Sequence, residues 1–203
     1  MMQLRTSPAS PFGRKVQLAA ALLGLSDEIE IVPTDTSDPA SGLLEVNPLG
    51  KIPTLTLDDK TTYYDSRVIV DYLDHRAARD GRVGAGLIPA EPAARFRALT
   101  QAALADGLME ASLAQIYEVR ARKADKQDPA WIEKHAGKAA RALAAFEAAP
   151  PDGARSVADV GLAAALGYLD LRFAGAWRES HPKLVAWLAA FAAETPAFAL
   201  TAA

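Results

Sequence analysis

Two kinds of chain meet at "RAARDGRVGAGLIPAEPAAR", residues 76–95, where glycine, proline and charged residues crowd together. Before this stretch, short segments of strand and helix character alternate; beyond it nearly every segment is alanine-rich, with the high helix propensity that alanine confers. A single layer of one secondary structure cannot satisfy both halves. The reading is therefore two domains, residues 1–78 and 91–203, joined by a linker at about 79–90.

In the first half, residues 2–6 have strand character, and Pro11 to about Leu23 form a helical pattern with Val16, Leu18, Ala19, Leu22 and Leu23 on its apolar face. Gly24 stops it. "EIEIV" (28–32) alternates like a half-buried strand, "SGLLEVNP" (41–48) suits a short irregular helix, and "KIPTLTL" (51–57) with "TTYY" (61–64) reads as a hairpin. Ser66 opens a helix to about Arg76, with Val68, Ile69, Val70, Tyr72 and Leu73 on its apolar side. The order is βαβαββα, that of a thioredoxin-like α/β domain. In the second half, helices are expected at about 92–123, 129–148, 157–171 and 181–194, an all-α domain. "SVAD" (156–159) has the form of a capping box, with Ser156 as N-cap.

Composition removes several function classes. Half of the 203 residues are hydrophobic, 23% are charged and the net charge is −3, which disfavours disorder and a nucleic-acid role. The apolar runs at 16–25, 160–169 and 184–193 are each about half the ~20 residues of a bilayer-spanning helix, so no membrane role is expected and the location is read as cytoplasmic. His75, His135 and His181 have no metal-ligand spacing, and no metal is expected. Trp131, Trp177 and Trp187 are read as packing residues. The chain has no cysteine, so any sulfur chemistry must use a borrowed thiol.

"SPASPFGRKV" (7–16) is where such a thiol would be held. Ser10 followed by Pro11 has a purely structural explanation, since serine is a favoured N-cap and proline a favoured first helical residue. The same helix start also favours an anion, because its N–H groups and dipole stabilise negative charge, a thiolate included. Local grammar leaves both readings open.

Four segments, in order, resemble the glutathione S-transferase family: "SPFGRKV" (10–16) its serine-type motif, "NPLGKIPTL" (47–55) its loop and cis-proline segment, "YYDSRVIVDYL" (63–73) its acidic-Ser pair and following helix, and "HPKLVAWLAAF" (181–191) a late helix of its helical domain. Glutathione is then the implied co-substrate. The resemblance implies that Ser10, with Ser7 in reserve, hydrogen-bonds the glutathione sulfur, and that Phe12 lies beside the bound tripeptide. Lys51 would sit near its glycine carboxylate, and Ile52 would pair its backbone with the cysteinyl moiety ahead of a cis Pro53. Asp65 would take the γ-glutamyl ammonium and Ser66 its carboxylate.

Met109, Leu113, Tyr117 and Arg120 are the residues spaced to line a second-substrate pocket. The family often places a tyrosine in or near the first loop, and this chain has none there. The implied activity is conjugation of the thiolate to small apolar electrophiles, a detoxification chemistry, by a homodimer. Glutathione-dependent peroxidase, dehalogenase or isomerase activity, or a non-catalytic glutathione carrier or interaction module, are the alternatives.

Overall fold

The computed structural model describes residues 1–82, 86–152 and 155–203; residues 83–85 of the expected linker and 153–154 of the expected break at 149–155 lie outside the described residues. Its first half comprises β1 (Met2–Thr6), α1 (Pro11–Leu22), β2 (Ile29–Pro33), α2 (Leu43–Val46), β3 (Thr54–Thr56), β4 (Thr62–Tyr63) and α3 (Ser66–Arg79). Its second half is helical: α4 (Pro92–Ala121), α5 (Pro129–Ala148), α6 (Val157–Phe173), α7 (Pro182–Glu194) and a short α8 (Ala197–Leu200). This is the expected thioredoxin-like α/β domain followed by an all-α domain.

The helix starts are local chemistry. Ser10, Asp65, Glu91, Asp128 and Ser156 each accept N-terminal amides through their side chains, and proline follows three of them. Ser156 and Asp159 form the expected capping box, with Asp159 accepting the Ser156 N–H at 2.8 Å. Gly24, at φ +67°, adopts the left-handed conformation that follows the end of α1.

The sheet has strand order β2-β1-β3-β4, with β1 and β2 parallel and the other two pairings antiparallel. Its inner strands are β1, whose Met2, Leu4 and Thr6 are buried, and β3, which is buried throughout. In the second half α6 is the central element: every residue from Val157 to Leu169 is buried, as a helix apolar all round requires. Gly161 lets α6 approach α4 closely, because a Cβ there would stand 3.1 Å from that of Ala105. Asp74 of α3 ties down the far end of the linker by accepting the N–H groups of Gly86, Leu87 and Ile88 at 2.8–3.1 Å.

Four local expectations are corrected. The strand expected at 51–57 shrinks to Thr54–Thr56, since Pro53 has no N–H to contribute to a ladder. The strand expected to be half-buried at 28–32 is the sheet's edge and buries no residue fully, with Ile31 43% exposed. Val68 and Trp131 are also exposed: α3 packs on α1 and β3 through its other side, and the Trp131 ring lies tilted against that of His135, 4.5 Å between centroids, near the start of α5. Helix α8 was not expected. Among the described residues no helix is long and apolar enough to cross a membrane.

Candidate active site

Strand directions decide which loops meet. Strand β1 runs toward Thr6; β3 is antiparallel to it with Thr54 opposite Arg5, and β4 returns with Tyr63 opposite Leu55. The end of β1, the start of β3 and the end of β4 therefore share one sheet edge. Ser10, Ile52–Pro53 and Asp65–Ser66 lie on the three connections at that edge, which also receives the N-termini of α1 and α3.

Ser10 caps α1, its Oγ accepting the Gly13 N–H at 3.1 Å, which leaves the hydroxyl hydrogen as a donor. The Ser7 carbonyl accepts the Ser10 N–H at 3.0 Å, closing the turn that presents Ser10. Ser7 thus supports the turn, and Phe12 packs partly buried against the core. The placement of Ser10 depends on Gly13, where a Cβ would stand 1.7 Å from the Thr6 Oγ1 at the end of β1. Gly13→Ala is expected to cost about 1–3 kcal/mol of unfolding free energy through overpacking, and Thr6→Ala in the same chain to restore part of it; urea denaturation measures both.

The Ile52–Pro53 peptide is cis, and ladder pairing stops at Thr54, so the Ile52 backbone lies outside the sheet's hydrogen bonds. The loop before it is shaped by a residue that sequence reading left unassigned. Buried Asn47 donates to the Lys51 carbonyl at 2.9 Å and to Thr54 Oγ1 at 3.0 Å, and accepts the Leu49 N–H at 3.0 Å. Lys51 itself is exposed. Asp65 is exposed and caps α3 through the Arg67 N–H, while Ser66 is buried at the first position of the helix.

Behind this edge lies an ionic network. Lys15 of α1 and Asp106 of α4 are both buried, with Nζ 2.7 and 3.0 Å from the two carboxylate oxygens. Arg67, the residue after Ser66, donates from Nε to Asp106 at 2.8 Å and from Nη2 to Glu110 at 3.2 Å. The hydrogen bond to Asp106 raises the Arg67 pKa above its ordinary value.

Ser10 borders a cleft of about 330 Å³, enclosed by Pro8–Pro11 and Arg14 on one side, by Tyr168 and Leu171 of α6 on another, and by Phe198 and the residues after α8. None of the four residues expected in a second-substrate pocket lines it. Met109 is fully buried in the core; Tyr117 borders a second cleft with Trp131, and Leu113 and Arg120 line neither. The cleft beside Ser10 takes its wall from α6, α8 and the residues after α8, elements that pack on α1. Burial pushes the Tyr168 phenol above its ordinary pKa. No group of three metal-ligating side chains occurs among the described residues.

This architecture is shared with known proteins. Residues 9–76 match the glutathione S-transferase N-terminal domain family and residues 129–190 the C-terminal domain family. A glutathione S-transferase from Methylobacillus flagellatus KT, solved with glutathione bound, superposes with a TM-score of 0.91 at 36% identity over 100% of this chain and 99% of its own. A glutathione transferase family member from Pseudomonas fluorescens Pf-5, solved with S-(propanoic acid)-glutathione, gives a TM-score of 0.86 at 38% identity over 99% and 98% of the two chains. YibF of Escherichia coli K12, described as an uncharacterized GST-like protein, is 31% identical over 91% of this chain and 90% of its own. The chain belongs to the glutathione S-transferase family.

Proposed function

We propose that the protein is a glutathione transferase that holds the tripeptide along the sheet edge described above and conjugates its thiolate to a small electrophile in the adjoining cleft. The observation that carries this reading is the convergence at one edge of two capped helix N-termini, the cis-Pro53 segment and a serine hydroxyl bordering a cleft. Ser66 and the α3 N-terminus suit the γ-glutamyl carboxylate, Asp65 the ammonium, Lys51 the glycine carboxylate and the Ile52 backbone the cysteinyl amide groups. Phe12 supports the loop beside the tripeptide.

Ser10 donates to the sulfur while the α1 dipole favours the thiolate over the thiol. The thiolate then attacks an electrophilic carbon: a C–S bond forms, and the leaving group departs with its electron pair or an activated alkene takes up a proton. The protein's contribution is orientation and stabilisation of charge, since glutathione is the nucleophile. Solved relatives that hold glutathione and an S-substituted glutathione support the ligand.

The reading includes a cytoplasmic homodimer, with exposed apolar side chains such as Leu49 and Val68 on the first domain and Phe96 on the second available to a partner. An ultraviolet titration of glutathione bound to the protein tests the chemistry, with a halogenated aromatic and a hydroperoxide offered in turn. Ionisation below the free thiol's pKa, with turnover of the halide, is expected. Turnover of the hydroperoxide alone would make the protein a peroxidase; binding with an unshifted thiol and no turnover would make it a carrier.

A further inference from the structure

One member of the cleft has no part in the chemistry above. Arg14 lies one helical turn after Ser10 on the same face of α1, on the order of 6 Å along the axis. It is 8% exposed, yet among the described residues no carboxylate comes within 4 Å of its guanidinium. Its hydrogen bonds go to neutral acceptors: Nη2 to the Phe198 carbonyl at 2.6 Å and Nε to Thr201 Oγ1 at 3.3 Å. The Phe198 ring covers it at 4.2 Å, a cation–π contact.

On its other side the guanidinium rests on bare backbone, since a Cβ on Gly167 would stand 2.1 Å from Nη1. Asp170, the acidic side chain lining the cleft, is engaged elsewhere: it accepts from Arg178 at 2.6 and 2.9 Å and from Trp177 Nε1 at 2.9 Å. Burial lowers the pKa of Arg14, against a weaker opposing pull from Asp170, and arginine remains charged throughout the physiological range.

A cation held at this depth with only neutral acceptors is costly unless an anion joins it, and with Nε and Nη2 on Thr201 Oγ1 and the Phe198 carbonyl the remaining Nη hydrogens are the donors left for a carboxylate. We infer that Arg14 is the specificity-determining residue of the cleft and that the preferred electrophile carries a carboxylate a few bonds from the carbon under attack. The inference rests on the glutathione-transferase reading. It also narrows it, because a desolvated cation bordering the cleft discriminates against neutral analogues of the same shape.

The test compares two tripeptides that differ only in charge, S-(2-carboxyethyl)glutathione and its carboxamide, with glutathione as reference, by isothermal titration calorimetry at pH 7. Neither has a thiolate, so a difference between them reports the added carboxylate rather than the sulfur. The wild-type protein is expected to bind the acid at least tenfold more tightly than the amide, and Arg14→Met to bring that ratio near one; a ratio is insensitive to any general loosening of the variant's cleft. Glutathione binding with no preference for the acid overturns this inference alone, as does a preference that survives in Arg14→Met. Failure of all three to bind overturns the transferase reading and this inference with it.

Discussion

Asp106→Asn is expected to lower the unfolding free energy by about 3–5 kcal/mol, measured by urea denaturation. Asp106 and Lys15 each expose about 1% of their side chains, and the single carboxylate holds both the Lys15 ammonium and the Arg67 guanidinium. Neutralising it leaves a fully buried lysine beside an amide and removes the anion from between two cations. Lys15→Met should cost less, because Asp106 keeps the partly exposed Arg67 as a partner. Lys15→Met with Asp106→Leu should recover much of the loss, since a well-packed apolar pair often matches a buried ion pair.

The consequence extends to the site. Arg67 follows Ser66, so a variant that releases Arg67 from α4 also loosens the start of α3, and glutathione affinity should fall with stability. A cost below about 1 kcal/mol would be that of a solvent-exposed pair and would mean that the two domains do not pack this way in solution.

This network marks the boundary of what the sequence discloses. Helix starts were legible because their signals are local: Ser10-Pro11, Glu91-Pro92, Asp128-Pro129 and Ser156 with Asp159 all lie within one turn of what they cap. The convergence of Ser10, Pro53 and Ser66 was legible only through the family resemblance. Lys15 and Asp106 are 91 positions apart, and a lysine after an arginine near a helix start has the pattern of solvated surface. Adjacent helical residues point about 100° apart, which sends Lys15 toward α4 and Arg14 toward α6 and α8, and no local pattern records that divergence. The cleft beside Ser10 follows the same rule: Met109 and Tyr168 are both large side chains on alanine-rich helices, and which of them borders that cleft is a matter of tertiary packing.

Substitutions at Ser10 separate its two possible duties, capping and thiolate stabilisation. Ser10→Ala should cost about 1 kcal/mol of stability through the lost cap. It should also remove a hydrogen bond to a charged sulfur worth about 1.5–3 kcal/mol, raising the pKa of bound glutathione by about 1–2 and lowering kcat/KM roughly 10- to 150-fold. Ser10→Asp divides these effects. Aspartate caps as well as serine, so stability should remain near wild type, but its charge opposes a thiolate at the same helix start and should leave conjugation as low as in Ser10→Ala or lower. Activity that tracks stability through the series, with Ser10→Asp active and Ser10→Ala impaired, would reduce Ser10 to a cap. Activity that follows the hydroxyl and not the cap would make the Ser-Pro helix start a thiolate site, in a chain that has no thiol of its own.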